Sequence, residues 1–251
     1  MNQDYKENGY LVVRNHFEKD ELQELSNVLL EFHEAWKSKN ENLYLEKAIN
    51  SAYLTGTEHL QESKRVSLFQ FIGSAKLMNL VSEVMTKQPT FMGTQLFFNP
   101  VNESQKNYWH RDPQYHLTLA EQKEALAGPE VIHFRIPLVK EPGMELIPRT
   151  HKRWDTNEEL NVRLEKNGRK NFDDLADGVT IELDPGDLLV FSANMIHRGI
   201  YGMDRFSLDI LFCDPDPTLT KFVRKDCLPN QEALQRIENP LAFLNTFNLK
   251  S

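Results

Sequence analysis

The chain predicts a mainly β domain, a β-sandwich or jelly roll, with helices packed outside it. Three observations carry that prediction. Long helical periodicity is confined to the first third of the sequence. After Pro89 the hydrophobic period falls from 3.6 to two. Short apolar runs then follow one another closely, separated by turns such as Asp184-Pro185-Gly186-Asp187 and Tyr201-Gly202-Met203-Asp204. No repeat, low-complexity segment or obvious linker divides the chain. Residues 1–251 are therefore expected to form one domain, with a helical part over about 1–88, a β core over about 89–213 and a tail with a short helix over 214–251.

The elements follow in order. GYLVV (9–13) is a strand candidate. Leu22, Leu25, Leu29, Phe32 and Trp36 recur at helical spacing, which predicts an amphipathic helix. Residues 41–65 are polar and read as a short helix and a loop. A second helix is expected over 74–85, capped by Ser74. TFMGTQLFFNP (90–100) reads as a strand. Thr118 and Thr156 each open a Thr-x-x-Glu capping box, so helices are expected over 118–128 and 156–168. Between them VIHFRIPLV (131–139) alternates, with Ile132, Phe134, Ile136 and Leu138 on one face and His133 and Arg135 on the other. Strands follow at 143–148, within 178–200 and at 205–212.

Composition excludes several function classes. Hydrophobic residues make up 40% and charged residues 26% of 251, an ordinary soluble balance. Lys and Arg total 29 against 37 Asp and Glu, a net charge of −8, and no basic cluster offers a nucleic-acid footprint. No apolar run approaches a membrane span. The opening MNQDYKENGY lacks the basic flank and apolar core of a signal peptide. Cys213 and Cys227 match no metal or redox spacing, and a cytoplasmic location is expected.

Chemistry concentrates in NYWHRDPQYH (107–116). Residues i and i+2 of a strand share a face, so His110 and Asp112 can offer an imidazole nitrogen and a carboxylate oxygen to one ion while Arg111 points away. A lone His-x-Asp is weak, and His16-Phe17-Glu18 is a decoy that leads straight into the first helix. His197, after the apolar run DLLVF, is a candidate third ligand, though it also suits a strand-end histidine bonded to backbone. Two histidines and one carboxylate on a β scaffold form the facial triad of non-haem Fe(II) oxygenases. Zinc competes, but its usual helical His-Glu-x-x-His is absent from the sequence. In RFSLDILF, Arg205, Ser207 and Asp209 share the face opposite Phe206, Leu208, Ile210 and Phe212. An arginine fork beside a hydroxyl is a receptor for a carboxylate, which suggests a keto-acid cosubstrate. A merely wetted strand face is the bland alternative.

These residues bring the sequence close to a known family. YKENGYLVVRNHFEKDELQEL, YWHRD, GMELIPRTHK, PGDLLVFSANMIHRG and RFS, in that order, resemble the phytanoyl-CoA dioxygenase family of Fe(II)/2-oxoglutarate-dependent oxygenases. The resemblance implies a double-stranded β-helix, a cupin-like jelly-roll barrel in a mixed α+β chain. It implies iron held by His110, Asp112 and His197, with Arg205 and Ser207 on the far carboxylate of 2-oxoglutarate and Gln95 bordering the cosubstrate or substrate. It implies a dioxygenase that hydroxylates an unactivated C–H bond of a small molecule using O2, with release of succinate and CO2. Two departures stand out. Pro148-Arg149-Thr150-His151 has arginine where the family has glycine, and His133 and Arg135 replace aromatic or small residues. If His133, Arg135 and Arg149 surround the pocket, a small anionic or polar substrate is expected; pairing of Arg135 with Asp209 is the rival reading. His151 reads as structural and His116 as a loop residue near the site. Two other classes compete: a non-catalytic jelly roll binding a small acid or metal, and a cupin-type metalloenzyme that uses no keto acid.

Overall fold

A computed structural model describes residues 2–250. In chain order the elements are α1 (Gln3–Asn8), β1 (Tyr10–Val13), α2 (Lys19–Lys39), α3 (Glu41–Glu46), β2 (Asn50–Ala52), α4 (Glu62–Ile72), α5 (Ala75–Val84), β3 (Thr90–Phe98), α6 (Leu119–Ala125), β4 (Val131–Pro137), β5 (Glu141–Leu146), α7 (Asn157–Arg163), β6 (Val179–Leu183), β7 (Leu188–Ser192), β8 (His197–Gly199), β9 (Phe206–Cys213), α8 (Pro217–Thr220), α9 (Gln231–Arg236) and α10 (Leu241–Lys250). The strands form two antiparallel sheets. The larger has the order β1-β7-β4-β9-β3-β2 and the smaller β6-β5-β8. An antiparallel bridge from His110 to His197 extends the smaller sheet by one position. Two facing antiparallel sheets with helices outside make the jelly roll that the sequence predicts.

The register explains what lies inside. Phe134 is paired with Ile210 and Ile136 with Leu208, while Arg135 is paired with Asp209 and Pro137 with Ser207. Alternation therefore sends Ile132, Phe134, Ile136, Leu208, Ile210 and Phe212 to the outer face of the large sheet. There they join Leu25, Leu29 and Phe32 of α2, Phe69 of α4, Val81 of α5 and Phe243 of α10 in one core. Each such buried side chain contributes roughly 1.5–3 kcal/mol of burial free energy. His133, Arg135, Ser207 and Asp209 take the opposite, inner face. The space between the sheets is closed at one end by Met144, Leu146, Ile181, Leu183, Leu189, Phe191 and Met195.

The capping boxes at Thr118 and Thr156 form as expected, and Ser74 accepts a bond from the Leu77 backbone N–H. The decoy is structural, because Glu18 and Glu21 make the capping box of α2. The stretch 41–65 holds the expected short helix, α3, and more besides. β2 pairs with β3, and α4 begins at Glu62. Arg65 of α4 is buried on the Thr55 and Asp226 carbonyls, so its polar sequence conceals an inward face. α1 also escapes the sequence pattern; it ends at Gly9, whose φ of +83° is the left-handed cap that glycine favours.

Candidate active site

His110 and His197 meet across the small sheet. The His110 N–H donates to the His197 carbonyl at 3.0 Å and the His197 N–H to the His110 carbonyl at 2.9 Å. Residues directly opposite in an antiparallel pair project to one side, and the two rings lie 4.2 Å apart. Each imidazole is fixed in the same way. Nδ1 of His110 contacts the Tyr108 carbonyl at 3.1 Å, and Nδ1 of His197 contacts the Met195 carbonyl at 3.0 Å. A proton on each Nδ1 leaves the Nε2 lone pair facing inward, the tautomer a metal ligand needs. Asp112 does not continue a strand; it starts a tight 3-10 turn over Asp112–Tyr115. Its own N–H donates to the Ala193 carbonyl at 3.1 Å, which brings its carboxylate beside the histidines. Asp112 Oδ1 stands 3.4 Å from His110 Nε2 and 3.6 Å from His197 Nε2.

Those three atoms form a cluster able to hold an ion. Ligand atoms at right angles about 2.1 Å from an octahedral ion stand roughly 3 Å apart, so the two edges that Asp112 makes with the histidines are only slightly open. Two neutral nitrogens and one anionic oxygen on a single face fit Fe(II) and leave the opposite face open to the cavity. Burial, then the nearby His110, pull the His197 imidazole down to about 3, so it stays neutral. Burial opposes ionisation of Asp112, but the charged His133 ring and its hydrogen bond outweigh it and hold the carboxyl well below the ordinary range.

Behind this loop Arg111 points away from the metal face, as alternation predicts. It is 1% exposed and every arm is used. Nε donates to Asp155 at 2.8 Å, Nη1 to the Thr150 and Asn194 carbonyls, and Nη2 to the Arg153 carbonyl at 3.0 Å. Arg163 grips the other oxygen of Asp155 at 2.7 and 2.9 Å. The cluster ties the His110–Asp112 segment to the loop that leads into His197.

On the inner face of the large sheet a second polar chain begins at the metal site. His133 Nε2 lies 2.7 Å from Asp112 Oδ2, and Nδ1 lies 3.2 Å from Asp209 Oδ2. Burial alone would lower the His133 imidazole, yet Asp112 and then Asp209 raise it to about 9. Arg135 donates to Glu141 at 3.1 and 3.3 Å and lies 3.6 Å from Asp209 Oδ1. Ser207 gives its proton to Glu141 at 2.6 Å. Arg205 is 3% exposed, but its Nε and Nη1 have no hydrogen-bond partner among the described residues. Its nearest carboxylate oxygen, on Glu141, is 3.8 Å away. The guanidinium lies over the rings of Phe97 and Tyr201 and against Gly199, where a Cβ would come within 2.3 Å of Nη2. Burial and then Arg135 pull Arg205 down to about 10, so it is still a cation at neutral pH.

The cavity holding these groups has a volume of about 720 Å³. His110, Asp112, His197, Arg205, Gln95, His133 and Arg135 all border it. Gln95 presents its side chain to the cavity from β3. His116 stands at the mouth, its ring 5.2 Å from that of Phe222. His151 is buried beside Tyr5 and Gly9, away from the cavity. Three expectations change. Arg149 is exposed and lies outside the cavity, where its N–H holds the Asn8 carbonyl. Its φ of +68° is the left-handed conformation that the family's glycine would take without strain. His133 and Arg135 do face inward, but both are committed to carboxylates. Ser207 has spent its proton on Glu141 and has none for a second carboxylate.

Sequence reasoning missed Glu141, Phe191 and the tyrosine pair. Glu141 turns inward because the β5–β6 register slips between Glu141 and Met144. Gly143, at φ +82°, makes that bulge, since a Cβ there would strike the Ile181 carbonyl. Tyr108 and Tyr115 flank the His110 ring, and the Tyr115 hydroxyl donates to Tyr108 at 2.9 Å.

Residues 5–200 match the sequence profile of a family described as phytanoyl-CoA dioxygenase (PhyH). No curated protein matches the chain significantly. Among solved structures, EctD from S. alaskensis is similar with a TM-score of 0.61 at 14% identity, over 84% of this chain and 75% of that one. AviO1 from Streptomyces viridochromogenes Tue57 gives 0.57 at 17% identity, over 85% and 93%. The alpha-ketoglutarate-dependent epimerase SnoN, from nogalamycin biosynthesis, gives 0.52 at 14%, over 84% and 81%. At these identities the likeness is one of fold, and that fold carries more than one reaction outcome.

Proposed function

Since the chain belongs to the phytanoyl-CoA dioxygenase family, we propose that it is an Fe(II)- and 2-oxoglutarate-dependent oxygenase that hydroxylates an unactivated C–H bond of a small molecule, releasing succinate and CO2. One observation carries the reading: a buried arginine with unused donors lies in the same cavity as a preformed two-histidine, one-carboxylate cluster. His110, Asp112 and His197 hold the iron. Bound iron supplies the activation of O2 that is coupled to oxidative decarboxylation of 2-oxoglutarate. Arg205 takes the distal carboxylate of the cosubstrate in charge-assisted hydrogen bonds. Ser207 supports that seat through Glu141 rather than by touching the cosubstrate. Gln95 offers an amide to the cosubstrate or substrate. The aromatic walls exclude water, which strengthens every charge interaction inside. A cupin that uses no keto acid gives no reason to keep hydrogen-bond donors of a buried arginine in reserve, and a non-catalytic acid-binding barrel gives none to retain all three metal donors.

The substrate reading changes with the ion pairs. His133 and Arg135 are neutralised by Asp112, Asp209 and Glu141, and Arg149 is outside. The remaining wall is largely apolar and aromatic, with Met92, Phe97, Tyr108, Tyr115, Leu211 and Phe222. Lys221, beside Phe222, and polar groups such as Asn50, Asn194 and Gln95 also border it; with the inner cations paired, the part of the substrate that reaches the metal is expected to be uncharged. The test is a panel of neutral and anionic candidates scored for stimulated succinate release under air. Stimulation by neutral compounds is expected. Stimulation confined to carboxylates or phosphates would overturn the substrate class, and failure of Fe(II)-loaded protein to bind 2-oxoglutarate would overturn the enzyme reading.

A further inference from the structure

His133 is buried at the centre of the cavity wall, yet no step above uses it. Its position is fixed on three sides. The ring stacks on Phe191 with centroids 4.5 Å apart and planes 12° from parallel. Asp112 holds one nitrogen and Asp209 the other. Phe191 in turn meets the His197 ring edge-on at 5.1 Å. The imidazole therefore cannot swing away without breaking a stack and two charged contacts.

The result falls on Asp112. A carboxylate has two oxygens, and a free one can bind an ion through both, occupying two coordination positions. Here the two oxygens have separate partners. Oδ1 faces His110 and His197, whereas Oδ2 faces His133 at 2.7 Å. Beyond His133 the chain continues through Asp209, Arg135 and Glu141 to within 3.8 Å of Arg205. The metal carboxylate and the cosubstrate's arginine thus sit at two ends of one buried polar chain.

We propose that His133 is a positioning residue that keeps Asp112 Oδ2 off the metal, so that Asp112 ligates through Oδ1 alone and a coordination position stays open for the cosubstrate. The role rests on the metal reading above. It is distinct from simple charge balance, which would ask only that Asp112 and Asp209 have a cation nearby. It assigns His133 to the metal side of the cavity, in place of the substrate-binding role that its sequence position suggests.

Mn(II)-loaded protein provides a test independent of turnover. Water-proton relaxation counts the exchangeable waters on the ion, and titration gives the 2-oxoglutarate affinity. His133→Phe keeps the stack on Phe191 and removes both hydrogen bonds. It is expected to lose about one exchangeable water and to weaken 2-oxoglutarate binding by about 10- to 100-fold. His133→Gln, which keeps an amide donor toward Asp112, is expected to restore most of both, and it serves as the folded test if the phenylalanine variant does not fold. A folded His133→Phe with native hydration and native cosubstrate affinity would overturn the role, as would a His133→Gln no better than phenylalanine. Native protein that binds no Mn(II) would instead overturn the metal reading.

Discussion

Two arginines, Arg111 within the His110–Asp112 segment and Arg205 on the cavity wall, are buried to nearly the same degree. Arg111 is 1% exposed and Arg205 3%. Burial is the main reason that both guanidinium groups fall to about 10. They differ in what surrounds them. Arg111 fills every arm with Asp155 and three carbonyls, and Asp155 is shared with Arg163. Arg205 leaves Nε and Nη1 without a hydrogen bond among the described residues. Burying an unsatisfied cation costs several kcal/mol unless something arrives to pair with it. Exposure alone thus cannot separate scaffold from receptor; the count of unused donors does.

Four experiments would break or sharpen that contrast. The largest effect is expected for Asp112→Ala, which removes the anionic ligand. Metal content after reconstitution and succinate release should both fall to background, and retained activity would move the site elsewhere. Next comes Asp155→Ala, which strands Arg111 and Arg163 without their shared carboxylate. Denaturant unfolding should show a loss of about 3–5 kcal/mol. Arg205→Ala should behave in the opposite sense. Calorimetry should show 2-oxoglutarate binding weakened by about 2–5 kcal/mol, while unfolding stability holds or rises because a buried cation short of hydrogen bonds is gone. A stability loss like that of Asp155→Ala would erase the distinction between the two arginines. The smallest effect is expected for Arg149→Gly, a control outside both regions. Relief of the left-handed backbone, less the extra entropy of glycine in the unfolded chain, should raise stability by up to about 1 kcal/mol. Turnover should be unaffected.

Much of this was legible in the sequence because period and spacing are local properties. Alternation in 131–139 and 205–212 assigns the faces of β4 and β9 correctly, down to the inward turn of Arg205, Ser207 and Asp209. His110, Asp112 and His197 stand out by type and order. What sequence could not show is which charges satisfy one another. Whether Arg135 meets a substrate or Glu141 depends on a bulge at Gly143 that breaks the alternation of β5. The exposure of Arg149 depends on where its loop runs. α4 was hidden because Arg65 is buried there, and periodicity treats arginine as a surface residue.

The paired backbones of His110 and His197 also bear on how the site comes into being. Pairing of segments far apart in sequence is slow, since loop-closure entropy is spent before the contact rewards it. His110 and Asp112 are close together in the chain, but His197 joins them only once the bridge to His110 has closed. A nascent or partly folded chain can present two of the three donors and no more. Tight retention of an ion is then a late milestone of folding, and it serves as a readout of whether the small sheet has zipped into its final register.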